Sequence, residues 1–89
     1  MGKFLLVYLI KLESPEVDPD EVTKKIRNNL PEDFQMQDEV KIKPLFFGIK
    51  GIEAQFILPE HEGIQDKLED YLRSVEGVSE VEVQYMTRL

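Results

Sequence analysis

The sequence contains no cysteine, which removes disulfide bridges, thiolate metal sites and thiol redox chemistry. Its one histidine, His61, sits in the polar turn PEHEG, where a lone imidazole among glutamates reads as a surface residue rather than a base or ligand. No run of 18 apolar residues occurs, so no segment is long enough to span a bilayer as a helix. Basic residues are scarce: 11 Lys and Arg against 18 Asp and Glu leave a net charge of −7. An acidic chain meets a phosphate backbone with repulsion, which argues against nucleic acid as a partner. Phosphate-loop spacing is missing from GIKG, and so is an RNP1-type aromatic run. Carboxylates are plentiful, but they fall at helix starts and on solvent-facing positions instead of converging in pairs. Enzyme chemistry, a bound metal and a cofactor are therefore not expected, and what remains is a protein that acts by contact.

What is present begins with size. Eighty-nine residues make one domain, 1–89, able to bury only about 60–65% of its unfolded surface. The opening MGKFLLVYLIKLESPE has the lysine and apolar block of a leader but no small-residue cleavage pattern, so it reads as a strand of a cytoplasmic protein. From Phe4 to Leu12 nearly every residue is apolar, as in a central strand. Asp18 followed by Pro19 starts a helix, with Asp20 and Glu21 in its first turn and Val22, Ile26 and Leu30 on one narrow stripe. Pro31 stops it. Phe34 to Lys43 alternates except at Asp38, which predicts a strand that is bulged or on an edge. Phe47 to Leu58 reads as a third strand, loosened by Gly48 and Gly51. A second helix spans about Gly63 to Val75, with Gly77 as its cap. VSEVEVQYM closes the chain as a half-buried strand with Val81, Val83 and Tyr85 on one side.

The order β-α-β-β-α-β, with right-handed crossovers, predicts an α+β ferredoxin-like fold: a four-stranded antiparallel sheet with two helices on one face. That fold serves many functions and selects none.

Two places suit action by contact. PLFFGIKGIEAQF sets Phe46 beside Phe47 just before Gly48 and Lys50. Aromatics dominate cores, so either ring alone would be read as core, yet neighbours on an extended chain point to opposite faces. The expectation is one ring in the core and the other free. The second place is the chain end YMTRL, where Arg88 and Leu89 are expected beyond the last regular strand positions.

ESPEVDPDEV, PLFFGIKGIEAQFILPE and VEGVSEVEVQYMTRL, in this order and across essentially the whole chain, resemble the archaeal elongation factor 1-beta family. Members are guanine-nucleotide exchange factors of elongation factor 1A, so the resemblance implies a role in translation elongation with that GTPase as partner. It also implies the ferredoxin-like fold and no bond chemistry. In related eukaryotic domains an aromatic before the GIK segment inserts near the nucleotide site, and a penultimate basic residue reaches the magnesium and phosphate region. The matching positions are Phe47 and Arg88. The eukaryotic residue is lysine, a point charge, whereas arginine is a planar fork. Unlike those factors, this chain is expected to act without an N-terminal tethering domain. The alternative reading is an ACT-like module binding a small ligand at a dimer interface; a monomer in sedimentation favours the exchange factor.

Overall fold

The computed structural model describes residues 2–89 and places six elements in the expected order. These are β1 (Lys3–Leu12), α1 (Pro19–Asn28), β2 (Gln35–Pro44), β3 (Lys50–Pro59), α2 (Ile64–Ser74) and β4 (Val78–Arg88). The strands form one antiparallel sheet in the order β2-β3-β1-β4, the ferredoxin-like arrangement.

The apolar run of β1 has its cause in this order. It lies between β3 and β4 with no free edge, and its alternate residues are covered on one face and shielded on the other. Leu6, Tyr8, Ile10 and Leu12 are buried in the core with Ile52, Ala54, Phe56 and Leu58 of β3. Val22 and Ile26 of α1 and Ile64, Leu68 and Leu72 of α2 close that core. Each such side chain contributes roughly 1.5–3 kcal/mol by leaving water. Tyr8 brings a hydroxyl into this layer, and it donates to Glu69 Oε2 at 3.0 Å; Gln65 and Arg73 hold the same carboxylate. Burial, and then the Glu69 carboxylate, push the Tyr8 hydroxyl far above its ordinary pKa.

α1 begins as its sequence requires: Asp18 accepts from the Asp20 N–H at 2.9 Å and Pro19 takes a first-turn position. It ends at Asn28, before Pro31. β2 lies on an edge, and its pairing slips between Met36 and Val40, around Asp38. The cap of α2 is Val75 rather than Gly77. Gly77 takes φ 96 two residues later, and its carbonyl accepts from the Glu13 N–H at 2.9 Å.

Three further expectations fail locally. β3 starts at Lys50 rather than Phe47, so Phe46, Phe47 and Gly48 form the β2–β3 turn. β4 carries two register shifts against β1, which leave Ser79 and Gln84 without an opposite residue. Past the second shift Tyr85 faces Val7 instead of continuing the side of Val81 and Val83. It joins half-buried Leu5, Val7 and Leu9 on the sheet face away from the helices, 57% exposed. The last correction concerns Arg88, which is inside β4 and paired with Phe4 rather than beyond the strand.

Candidate functional site

The turn is built from two hydrogen bonds. Leu45 N–H donates to Ile49 O at 2.9 Å, and Ile49 N–H donates to Phe46 O at 3.1 Å. The second bond closes a four-residue turn whose central residues are Phe47, with φ 58, and Gly48, with φ 77. Two positive φ values suit the twist of a hairpin and are usually supplied by Asn-Gly or Gly-Gly. Glycine adopts this geometry freely; for phenylalanine it costs about 1–2 kcal/mol. The turn also leans on the loop after β1, since a Cβ at Gly48 would lie 3.5 Å from Pro15 Cβ.

Strain is not offset by burial. Phe46 is 69% exposed and Phe47 87% exposed, with their rings edge-to-face at 5.5 Å. The alternation argument does not reach them, because neither residue is in the strand. The left-handed backbone of Phe47 and its exposed ring both cost stability in the free protein. Lys50 follows as the exposed first residue of β3, and Leu45 turns onto the open sheet face, where it and Leu9 cover Gly51.

Arg88 is placed by regular pairing. Leu89 N–H donates to Lys3 O at 2.8 Å, so the ladder continues past Arg88. The guanidinium lies over the Phe4 ring at 5.6 Å, and Nε meets Glu60 Oε2 at 3.0 Å. Leu89 itself is exposed.

These residues gather into two groups. Phe46, Phe47, Gly48 and Lys50 share one end of the sheet; Arg88 and Leu89 share the other. On β1 the ladder partner of Gly51 is Lys11 and that of Arg88 is Phe4, seven residues apart, which at strand rise is about 23 Å. His61 is exposed, and among the described residues no group of three or more His, Cys, Asp or Glu is placed to hold a metal ion. Among the described residues no helix is long and apolar enough to cross a membrane.

Residues 5–89 match the family model of the EF-1 guanine nucleotide exchange domain. The chain belongs to this family. Elongation factor 1-beta of Hyperthermus butylicus is 39% identical over 90 positions, covering 100% of this chain and 97% of that one. The proteins of the same name from Desulfurococcus amylolyticus and Archaeoglobus fulgidus are 37% and 33% identical, over 100% of this chain and 99% and 100% of theirs. Among solved structures, the C-terminal domain of the MgtC protein from Mycobacterium tuberculosis aligns with TM-score 0.50 at 11% identity, over 100% of this chain and 88% of that one. That likeness is one of fold alone.

Two neighbours of Arg88 carry no sequence signal of their own. Phe4 and Glu60 meet Arg88 from β1 and from the end of β3. Nothing local marks them, because they are 84 and 28 positions away in sequence. Tyr85 was hidden by the bulge at Gln84, although the double-sided apolar pattern of β1 was a usable sign that the open face is not wholly polar.

Proposed function

We propose that this chain promotes release of GDP from elongation factor 1A during translation elongation, acting by protein contact and without bond chemistry. The observation that carries the reading is the exchange-domain match over residues 5–89. Phe47 is the apolar wedge and Arg88 the cation, with Phe46, Gly48, Lys50 and Leu89 completing the two contact ends. Magnesium holds its oxygen ligands at about 2.1 Å, so groups at opposite ends of β1, whose span between the two ends is about 23 Å, cannot both act on it. Arg88 takes the magnesium and phosphate region, and Phe47 grips a separate patch of the same GTPase. This departs from an arrangement in which both converge on the nucleotide.

Exchange needs only a preference for one state. A partner that binds the nucleotide-free GTPase better lowers nucleotide affinity, and the nucleotide lowers the partner's affinity by the same factor. Each ~1.4 kcal/mol of coupling is tenfold, within reach of one buried aromatic and one charge. The acidic surface, at −7, keeps nucleic acid off and favours a basic patch on the GTPase. The domain works as a cytoplasmic monomer in this reading.

The test is release of a fluorescent GDP analogue from an archaeal elongation factor 1A in excess GDP. Substoichiometric amounts of this protein should accelerate release. No acceleration, with both proteins folded, would overturn the reading.

A further inference from the structure

Arg88 is exposed, yet it is not loose. Its guanidinium rests on the Phe4 ring at 5.6 Å, and the inner nitrogen Nε contacts Glu60 Oε2 at 3.0 Å. Both supports are themselves fixed. Phe4 is the ladder partner of Arg88, and the Glu60 N–H donates to Gly2 O at 3.0 Å, tying the residue to the start of β1. Gly2 leaves room for the carboxylate, since a Cβ there would lie 2.7 Å from Glu60 Oε2. The Leu89 N–H bond to Lys3 O holds the backbone on the far side of Arg88.

The chemistry lies in which nitrogen faces Glu60. Arginine carries five N–H donors on a rigid plane, with two nitrogens at the outer end. Among the described residues no hydrogen bond takes up NH1 or NH2, and the side chain is 69% exposed against 35% for Glu60. A shallow groove of about 350 Å³ lined by Gly2, Lys3, Pro59, Glu60 and His61 adjoins the pair. The guanidinium thus meets Glu60 as an ion pair through its inner nitrogen and lies over the Phe4 ring, while its outer nitrogens open to solvent. Lysine carries its three donors on a single nitrogen, so the atom that met Glu60 would also have to meet the oxyanion, whereas arginine separates the two contacts.

We propose that Glu60 and Phe4 are positioning residues that hold the Arg88 guanidinium as a preset fork for an oxyanion with two available oxygens. The inference rests on the exchange-factor reading: the oxyanion belongs to the GTPase–nucleotide complex, as a phosphate or a carboxylate. A fork fixed in advance loses less side-chain freedom when it grips, and that freedom is otherwise a cost of association. It also accounts for arginine at a position where a bare point charge would be mobile.

Two measurements test this on the full chain. The first needs no partner: ¹⁵N relaxation of the Arg88 Nε–H should show a rigid group, becoming mobile in Glu60→Gln and in Phe4→Leu. The second is GDP release at saturating exchange factor, where Glu60→Gln should slow release about three- to fivefold, the most a half-exposed ion pair contributes. The half-saturating concentration should change little. Arg88→Lys should be slowed at least as much, and Glu60→Gln should add nothing to it. Repeating the series with a β-thiophosphate analogue separates the two oxyanions, since the Arg88→Lys penalty changes if the β-phosphate is gripped and stays constant if a carboxylate is. An Arg88 Nε–H equally mobile in wild type and Glu60→Gln overturns the inference whatever the exchange assay reads. So does Glu60→Gln that releases GDP as fast as, or faster than, an active wild type. A wild type without exchange activity overturns the functional reading instead, and the relaxation data then still decide whether Arg88 is preset.

Discussion

The two ends of the sheet solve opposite problems. At the β2–β3 turn the prominent groups are apolar rings set edge-to-face on each other, and one is strained, with Phe47 at φ 58 and 87% exposed. At the chain end the prominent group is charged, and it is stacked, ion-paired and carried on a regular strand. An apolar ring needs no partner atoms to keep its shape, so a tight turn is enough to present it, at a cost in backbone strain. A cation on a long side chain has many rotamers, and only neighbours can restrict them. Exposure therefore has two origins here: one end is held out by its backbone, the other held in place by its surroundings.

The comparison breaks most easily at Phe47. Phe47→Ala should lower the acceleration of GDP release about tenfold or more while the domain stays folded, as for a central aromatic hot spot. Phe47→Gly should lose activity equally yet gain about 0.5–1 kcal/mol of stability in denaturant titration, because glycine accepts the positive φ. Full activity in either variant removes the wedge. Deleting Arg88 and Leu89 should slow release more than it weakens binding. It should also cost about 1 kcal/mol of stability through the lost Leu89 to Lys3 hydrogen bond. Equal losses of rate and affinity would make this end merely adhesive, and an unchanged melting temperature would deny that it is structured.

The smallest effect concerns pH. Glu53, on β3 near the turn, has its carboxyl held below the ordinary value of 4.5 by the Lys43 hydrogen bond and charge, with a 2.8 Å contact. A carboxyl held low in the folded state stabilises it above that ordinary value, and the contribution is lost as pH falls through the folded pKa. Glu53→Gln should therefore flatten the fall of melting temperature below about pH 4.5 without touching the chain end. An unchanged acid slope would show that the pair does not hold β2 to β3.

Much of the fold was legible because its signals are local. The Asp18-Pro19 start of α1, the stripe of Ile64, Leu68 and Leu72 in α2, and the Asp38 interruption in β2 each need only neighbouring residues. The misreadings share a cause as well. Val81, Val83 and Tyr85 alternate in sequence, but the register shift at Gln84 is set by pairing with β1, which no neighbouring residue encodes. Phe47 looked like a strand residue because aromatics favour strands; hairpin geometry overrode that preference.

Element order, the β-α-β-β-α-β class and the kinship carried by the motifs can be read from the residues alone, since these follow from periodicity, caps and ordered segments along one chain. The sequence also singled out Phe47 and Arg88. The folded chain was needed to see that both phenylalanines stand in water, that Phe47 and Arg88 lie at opposite ends of the sheet, and that Phe4 and Glu60 contact Arg88. Those facts depend on strand pairing between residues far apart in sequence. Side-chain alternation says which way a residue points along its own strand, but not what the next strand places beside it.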